Sequence, residues 1–431
     1  MGDAIFQNIL DGFLGSLRMV WGEVWWIVTP IIAAILFWEY WKSYLTFRFL
    51  SAIKWKLLEI KVPKDILQTP KSMEQVFAAA HGPFTYGLRF LEKHWEGKRE
   101  YSMSFEIVGI GGDIHFYLRV PAQFQSLMES AIYGQYPQAE IKEIPVDQDY
   151  VRQMPPVLPN KKFQTHGIEF ILEKPAPYPI RTYPMFEDAV EERRVDPIGN
   201  LTEILSRLKK DEQVWIQILV TPTGPPENNW RKEGEDIINK IMGRDTEKKK
   251  ESTPLFGVTI GEAVRAPWEH PSQEVEKKKD GMDFKFVVLS PSEKEVVEGI
   301  ERKTSKLGFE STVRFIYIDD RENFSRDNVA GVMGSFRQYN TQNLNLLRPN
   351  KHTMSASVHG LFKPMRLNWR RRVMYERYGW LSHGPGASKN ILNIEELATL
   401  FHFPITGVQA PQLQRIEAKK GSPPPTIPLI D

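Results

Sequence analysis

The sequence predicts an α+β protein in which an N-terminal transmembrane helix precedes two ferredoxin-like (split β-α-β) modules. Three observations lead there: a nearly uncharged run rich in tryptophan close to the start, strand-like and helical runs alternating from Leu58 onward, and a similar order of elements after residue 198. The 431 residues, 26% charged and 41% hydrophobic, suffice for roughly two to four domains with real cores. A net charge of +2 argues against a protein built wholly around nucleic acid while leaving room for local basic patches. The absence of cysteine excludes disulfides, thiolate zinc sites and cysteine nucleophiles, and fits a cytoplasmic body.

Residues 20–41 form the expected span. No charge falls between Glu23 and Glu39, and as a helix the stretch covers about 33 Å, close to the thickness of a bilayer core. Trp21, Trp25 and Trp26 at one end and Trp38, Tyr40 and Trp41 at the other place amphipathic rings at the two headgroup levels. Pro30 is tolerable in mid-span. Arg18 is the single cationic side chain ahead of the span, whereas Lys42, Arg48, Lys54, Lys56, Lys61 and Lys64 follow it. The positive-inside bias therefore puts the C-terminal bulk in the cytoplasm, on a single-pass protein of the inner cell membrane. A cleaved signal peptide fits poorly, since Asp3 and Asp11 spoil a basic leader and no small-residue cleavage site precedes Phe37 to Trp41.

Ahead of the span, residues 1–19 carry Ile5, Phe6, Ile9, Leu10, Phe13, Leu14 and Leu17 at helical spacing. They make either an amphipathic helix on the outer leaflet or an extension of the span. Residues 42–57 read as a juxtamembrane helix whose cations lie among anionic headgroups.

The first module, 58–197, opens with Leu58, Ile60 and Val62 alternating with Glu59 and Lys61, and a helical run from Ser72 follows. Tyr101–Ile110 and Ile114–Val120 form two strands around Gly111, Gly112 and Asp113, a hairpin signal. A helix then begins at Pro121 and a strand runs over Ala139–Ile144, whereas the proline-rich stretch to Pro197 reads as a crossover with an extra strand at Gly167–Leu172. The second module, 198–345, has a helical face through Leu201, Ile204, Leu205 and Leu208, a strand at Val214–Val220 and a helix through Ile237, Ile238 and Ile241. After a mixed-charge insertion at 244–281 come a strand at Phe284–Leu289, a helix over Ser292–Lys306, a strand at Phe309–Ile318 and a helix over Phe324–Tyr339. Residues 346–431 hold a basic segment, a lead-in strand near Asn393–Phe403 expected to complete or recruit a partner, and a proline-rich tail from Ser422 to Pro428.

No catalytic motif emerges. The chain has neither G-x-x-x-x-G-K-[ST] nor H-E-x-x-H nor G-x-S-x-G; Gly384 to Lys389 only mimics a phosphate loop, and the nine histidines, His352 and His359 included, are scattered. Asp319 and Asp320 read as a strand end rather than an acid pair. The chain is therefore expected to be no enzyme and to need no cofactor or metal. One cluster invites a binding role: Arg366, Arg370, Arg371, Arg372 and Arg377, with Lys363, interleave with Phe362, Trp369, Tyr375, Tyr378 and Trp380. Such a surface suits a partner subunit, lipid headgroups or nucleic acid alike.

The runs Trp55–Val62, Tyr101–Pro121, Ile132–Pro137, Val214–Leu219 with Trp230–Gly234, Lys306–Ile318 and Asn393–Pro404 resemble an uncharacterised family of bacterial single-pass membrane proteins. In that family a similar region is often followed by a motor domain of the kind found in type IV secretion and conjugative coupling ATPases. The resemblance spans most of Trp55–Pro428 and implies a scaffold or platform subunit of a secretion or DNA-transfer apparatus. Here Ile416–Pro428 resembles the lead-in to the motor, yet no phosphate loop follows before Asp431. The expectation is an ATPase acting in trans or lost, with self-association as a further partner; the alternative is a membrane-tethered nucleic-acid-binding protein using the Arg366–Arg377 patch.

Overall fold

A computed structural model describes residues 2–63, 68–85, 87–186, 196–225, 228–243, 289–355, 358, 360, 362–384 and 389–404, with the backbone of residues 2–24 and side chains from Trp25 onward. The expected insertion at 244–281, the strand at 284–289 up to its last residue, His359, most of the turn at 384–389 and the proline-rich tail lie outside the described residues, as does the side chain of Trp21.

The first element is one helix, α1 (Gly2–Ala52), with Pro30 inside it. It joins the segments expected at 1–19, 20–41 and 42–57 without a break. The juxtamembrane helix ends sooner than expected, because β1 (Trp55–Lys61) already begins at Trp55. Among the described residues, no helix is long and apolar enough to cross a membrane. Described side chains start only at Trp25, and the aromatic rings and Glu39 dilute the apolar middle of the expected span.

After β1 come α2 (Pro70–Ala80), α3 (Phe90–His94), β2 (Met103–Ile110), β3 (Asp113–Pro121), α4 (Gln125–Gln135) and β4 (Glu140–Ile144). Gly111 and Gly112 both have positive φ, 58° and 98°, which is what a two-residue hairpin with the twist of its strands requires. A short α5 (Tyr150–Gln153) leads to β5 (Phe163–Leu172), α6 (Gly199–Ser206), β6 (Gln213–Thr223), α7 (Trp230–Ile241) and α8 (Pro291–Thr304). The chain continues through β7 (Gly308–Asp320), α9 (Arg326–Arg337), β8 (Leu347–Pro349), α10 (Lys363–Gly379), β9 (Ile391–Asn393) and α11 (Ile394–Leu400).

The two expected modules share one mixed α+β body built on a single sheet, in the order β4-β1-β3-β2-β6-β7-β5-β8, with β9 beside β7. Every pairing is antiparallel. Outward from the β2–β6 seam, each half places its second, third, first and fourth strands in turn, so the halves are related by an approximate two-fold. β5 is thus the first strand of the second half rather than an extra strand on a crossover, which moves the boundary between halves back towards residue 160. The proline-rich stretch to Pro197 reads as a crossover, but Phe163–Leu172 is flanked by β7 and β8 on both sides.

Side chains of opposite parity leave the sheet on opposite faces. One face carries Phe105, Phe116, Ile218, Val313 and Phe170 into the main core, under α2, α4, α6, α9 and α11. The other carries Val108, Tyr117, Trp215 and Ile316 against Tyr150, Leu158 and α10. Coverage of both faces explains why these strands read as nearly unbroken apolar runs.

The segment from Ile391 to Phe403, expected to offer itself to a partner, is buried within the chain. β9 extends the second half at Gly308–Glu310, and α11 then packs on α2 of the first half, where Phe401 and Phe403 meet Phe105, Phe116 and Tyr136. Asn393 and Glu396 form its capping box. Glu396 also accepts from Ile180 N and receives Lys303 Nζ at 3.0 Å, with both partners fully buried. Burial pulls the Lys303 amine down and pushes the Glu396 carboxyl up, each opposed by the other's charge. Lys306 ties Glu395 (2.6 Å) to Glu74 of α2 (3.0 Å). Lys303→Met, which strands Glu396 without its counter-charge, is expected to cost about 3–5 kcal/mol in urea unfolding. Lys303→Met combined with Glu396→Gln should lose less than the single change; equal or greater loss would show that the charge pair is not what the single variant removes.

Candidate functional site

The residues with chemical potential gather on the sheet face beneath α10. Strand register aligns Lys142, Glu59, Tyr117, Glu106, Gln217, Arg314 and Glu169 in one row across β4, β1, β3, β2, β6, β7 and β5. From Glu59 to Glu169 the row is buried. Each of these polar residues interrupts an apolar run at the same level, a signal visible in the strands one at a time but meaningful only once the register is known.

Glu106 is the centre. Its Oε1 accepts from Ser104 Oγ (2.7 Å) and Gln217 Nε2 (3.0 Å), with Arg119 Nε at 3.4 Å, and its Oε2 accepts from Tyr150 OH (2.8 Å). Tyr150 and Tyr378 of α10 share a further bond at 2.8 Å, and Arg119 grips Asp149 through two nitrogens. Burial works against the Arg119 charge, but Glu106 and Asp149 hold it well above its usual range. Burial raises both tyrosines far beyond titration at neutral pH. Both carboxylate oxygens of Glu106 are engaged, so this arrangement locks elements together and offers no free base to a substrate. Further along, Arg314 bonds Gln217 (2.8 Å) and the Ser382 carbonyl (2.7 Å), and burial lowers it to about 10 against the attraction of Glu169. At the other end His115 bonds Glu59 at 2.7 Å.

α10 lies over this row. Gly167 of β5 makes its seat, since a Cβ there would come within 2.4 Å of Met374 Cγ. The sequence-predicted basic patch divides accordingly. Tyr375 and Tyr378 are buried, so neither ring is available for stacking. Arg370 Nη1 bonds the carbonyls of Lys351 and Met354, and Arg372 pairs with Glu376 at 2.8 Å. Phe362, Trp369, Arg366 and Trp380 remain on the surface and Arg377 is half-buried. What the sequence did not bring together with this helix is Arg321 and Arg326, whose charges, after burial, depress the Arg371 guanidinium below its ordinary value. No carboxylate lies within ion-pair distance of these three among the described residues. Arg321, Lys161, Asn160, Val157, Trp369 and Arg372 line an open groove of about 780 Å³. It sits at the end of the strands where Phe163 faces Asp320, opposite the end where α1 delivers Trp55 to Pro121.

No group of three or more His, Asp or Glu able to hold a metal occurs among the described residues. Asp319, expected to cap or face solvent, is buried, and burial raises its carboxyl while Tyr317 OH donates to it at 2.9 Å.

A family model described as a domain of unknown function (DUF8128) matches residues 48–415. The chain belongs to that family. The matched region holds the sheet, the buried row, α10 and the docked end of α1, and begins beyond the apolar stretch 25–41. No curated protein matches the chain.

Two buried histidines in the family region, His383 beside the row and His166 on the opposite face of the sheet, give the body a pH response. His383 bridges Thr221 Oγ1 (2.7 Å) and Thr312 Oγ1 (2.9 Å), and burial, aided by Arg314, lowers it to about 3. Burial with Arg371 and Arg326 lowers His166 to about 4. In the unfolded chain both protonate near pH 6.5, whereas the folded chain resists the proton. Stability is thus complete above about pH 6.5 and falls as the pH drops towards 4. Urea midpoints measured across that window should decline in the native chain and decline less in His383→Gln; identical slopes would refute the assignment.

Proposed function

We propose that the chain is a non-catalytic, membrane-anchored platform whose α+β body is held at the bilayer surface by α1. The observation that carries this reading is the outward-facing apolar surface of α1. Ile27, Ile31, Ile32, Ile35, Leu36 and Phe37 are exposed and point to every side of the helix, with Leu36 and Phe37 at 64% and 63%. A helix that is apolar on every side and left uncovered by the described residues calls for a lipid or protein environment. The flanking rings of Trp25, Trp26, Trp38 and Trp41 favour lipid, and the cations beyond Trp41 favour a cytoplasmic body. The first half has a β-α-β-β-α-β order, the second has the same order with α7 and α8 inserted between β6 and β7, and both place their strands 4-1-3-2, which supports reading the halves as ferredoxin-like modules.

The partner that the family resemblance implies is a secretion or DNA-transfer ATPase acting in trans, together with other copies of the chain. The full-length protein should sediment with membranes, resist extraction by high salt and alkaline carbonate, and enter solution with detergent. Affinity purification in that detergent should recover an ATPase or a second tagged copy. Release by salt alone would remove the anchor, and recovery of neither partner would remove the platform.

A second reading, nucleic-acid binding, is favoured by one observation: the uncompensated Arg321, Arg326 and Arg371 beside Trp369, at the end of the body away from α1. Single-stranded DNA should then bind less tightly as salt rises, and Arg321→Ala with Arg371→Ala should lower the log–log salt slope by about 1.4, some 0.7 per phosphate contact. An unchanged slope would dispose of it.

A further inference from the structure

We propose that α3 is a second, monotopic contact with the bilayer interface, which together with α1 fixes the tilt of the body; this rests on the membrane-anchored reading above. The motivating feature is an exposed apolar cluster on a helix of five residues. Phe90 and Leu91 are 66% and 64% exposed, and Trp95, just past the helix end, is 55% exposed. A soluble surface rarely presents three such side chains side by side.

The height of this cluster along α1 identifies its occupant. Trp38 stacks on His94 with ring centres 6.4 Å apart and meets Trp95 edge-on at 6.3 Å. One turn on, Gly97 with φ +69° lies so close to Leu45 that a Cβ would fall 2.4 Å from its backbone carbon, and Arg99 Nη2 reaches Thr46 Oγ1 at 3.3 Å. The α3 segment is therefore clamped against residues 38–46 of α1, where the rings of Trp38, Tyr40 and Trp41 mark the cytoplasmic headgroup level. Its apolar surface continues that of α1 sideways, in the plane of the interface. Arg89 and Lys93 flank the apolar residues, and Lys98 pairs with Glu92 and Glu96, so the apolar residues are bordered by charged ones, as on a segment lying in the interface plane. A second copy of the chain would have to cover an apolar surface continuous with one that already demands lipid.

The absence of cysteine makes the test direct. Leu91→Cys, Ile35→Cys and Asp211→Cys, each in the full chain, carry an environment-sensitive NBD label into nanodiscs of phosphatidylcholine and phosphatidylglycerol. Leu91 and Ile35 are exposed, so neither change disturbs the core, and Asp211 lies at the far end of the strands. The label at 91 should shift to the blue and lose emission most to lipid spin-labelled near its headgroup. The label at 35 should lose emission most to spin label deep in the acyl chain, and the label at 211 should respond to neither. Quenching at 35 without quenching at 91 would overturn the role of α3 while sparing the anchor. No quenching at 35 would overturn both, and a blue shift at 91 that lipid spin labels do not quench would assign the surface to protein and likewise overturn the proposal.

Discussion

The pairing of β2 with β6 is the constraint on which the rest of the molecule depends. From Met103 opposite Val220 to Ile110 opposite Gln213, it turns two small sheets, each of which would end in an open edge, into one continuous sheet. Glu106 and Gln217 face each other at the middle of that seam and bond directly, so the register is fixed by a polar contact inside an apolar layer. A slip by one residue would carry Glu106 to the opposite face, among Phe77, Phe105 and Phe401, away from Gln217, Arg119 and Tyr150. The cost of a buried unsatisfied carboxylate makes the seam specific as well as stable.

The seam also explains why the two faces are covered so differently. Four helices that connect strands within each half, α2, α4, α6 and α9, lie on one side and bury its aromatic and aliphatic residues. The opposite face receives only the short α5 between β4 and β5 and is otherwise closed by later parts of the chain. α10 does this across the seam, bringing Tyr378 to Tyr150 and through it to Glu106. The segment 391–403 repeats the device on the first face, leaving β7 of the second half and ending between Phe116 and Tyr136 of the first. Each half is thus held by residues contributed from beyond the second, which makes the body one folding unit despite its doubled topology.

Much of the element order was legible in the sequence, because local signals govern it: the Gly111-Gly112 hairpin, the Pro291 helix start capped by Ser290, and the periodicity of Leu201 and Leu205. Three things were not. Proline spread from Pro145 to Pro197 disguised β5 as part of a crossover, although this ten-residue strand pairs on both sides within the second half. Asn393–Phe403 looked like an edge for a partner, since nothing local distinguishes a strand that recruits from one that staples its own chain. The basic patch looked uniform along α10, yet a helix divides its residues by angle, burying Tyr375 and Tyr378 while leaving Trp369 outside. Arg321 and Arg326 come to Arg371 from other elements, a juxtaposition that only the register of β5 against β7 creates.

That register also orders the molecule from end to end. α1 enters beside Pro121 and Tyr101, α3 is clamped to it at Leu45, and the last turn of α10 reaches the same end through Trp380 against Phe47. The first turns of α10 and the groove of Trp369 and Arg321 lie at the other end of the strands. In the proposed arrangement, with the body held at a bilayer through α1, the cations of that groove face away from the headgroups, and the anion they attract would come from the aqueous side. Under that proposal lipid phosphate is a poor candidate for the groove on distance alone, and a soluble polyanion or an acidic partner surface is the better one. The sheet, covered on both faces, and its buried polar row supply what such an arrangement needs between its two ends: a stiff spacer in which neither face is free to repack when one end is engaged.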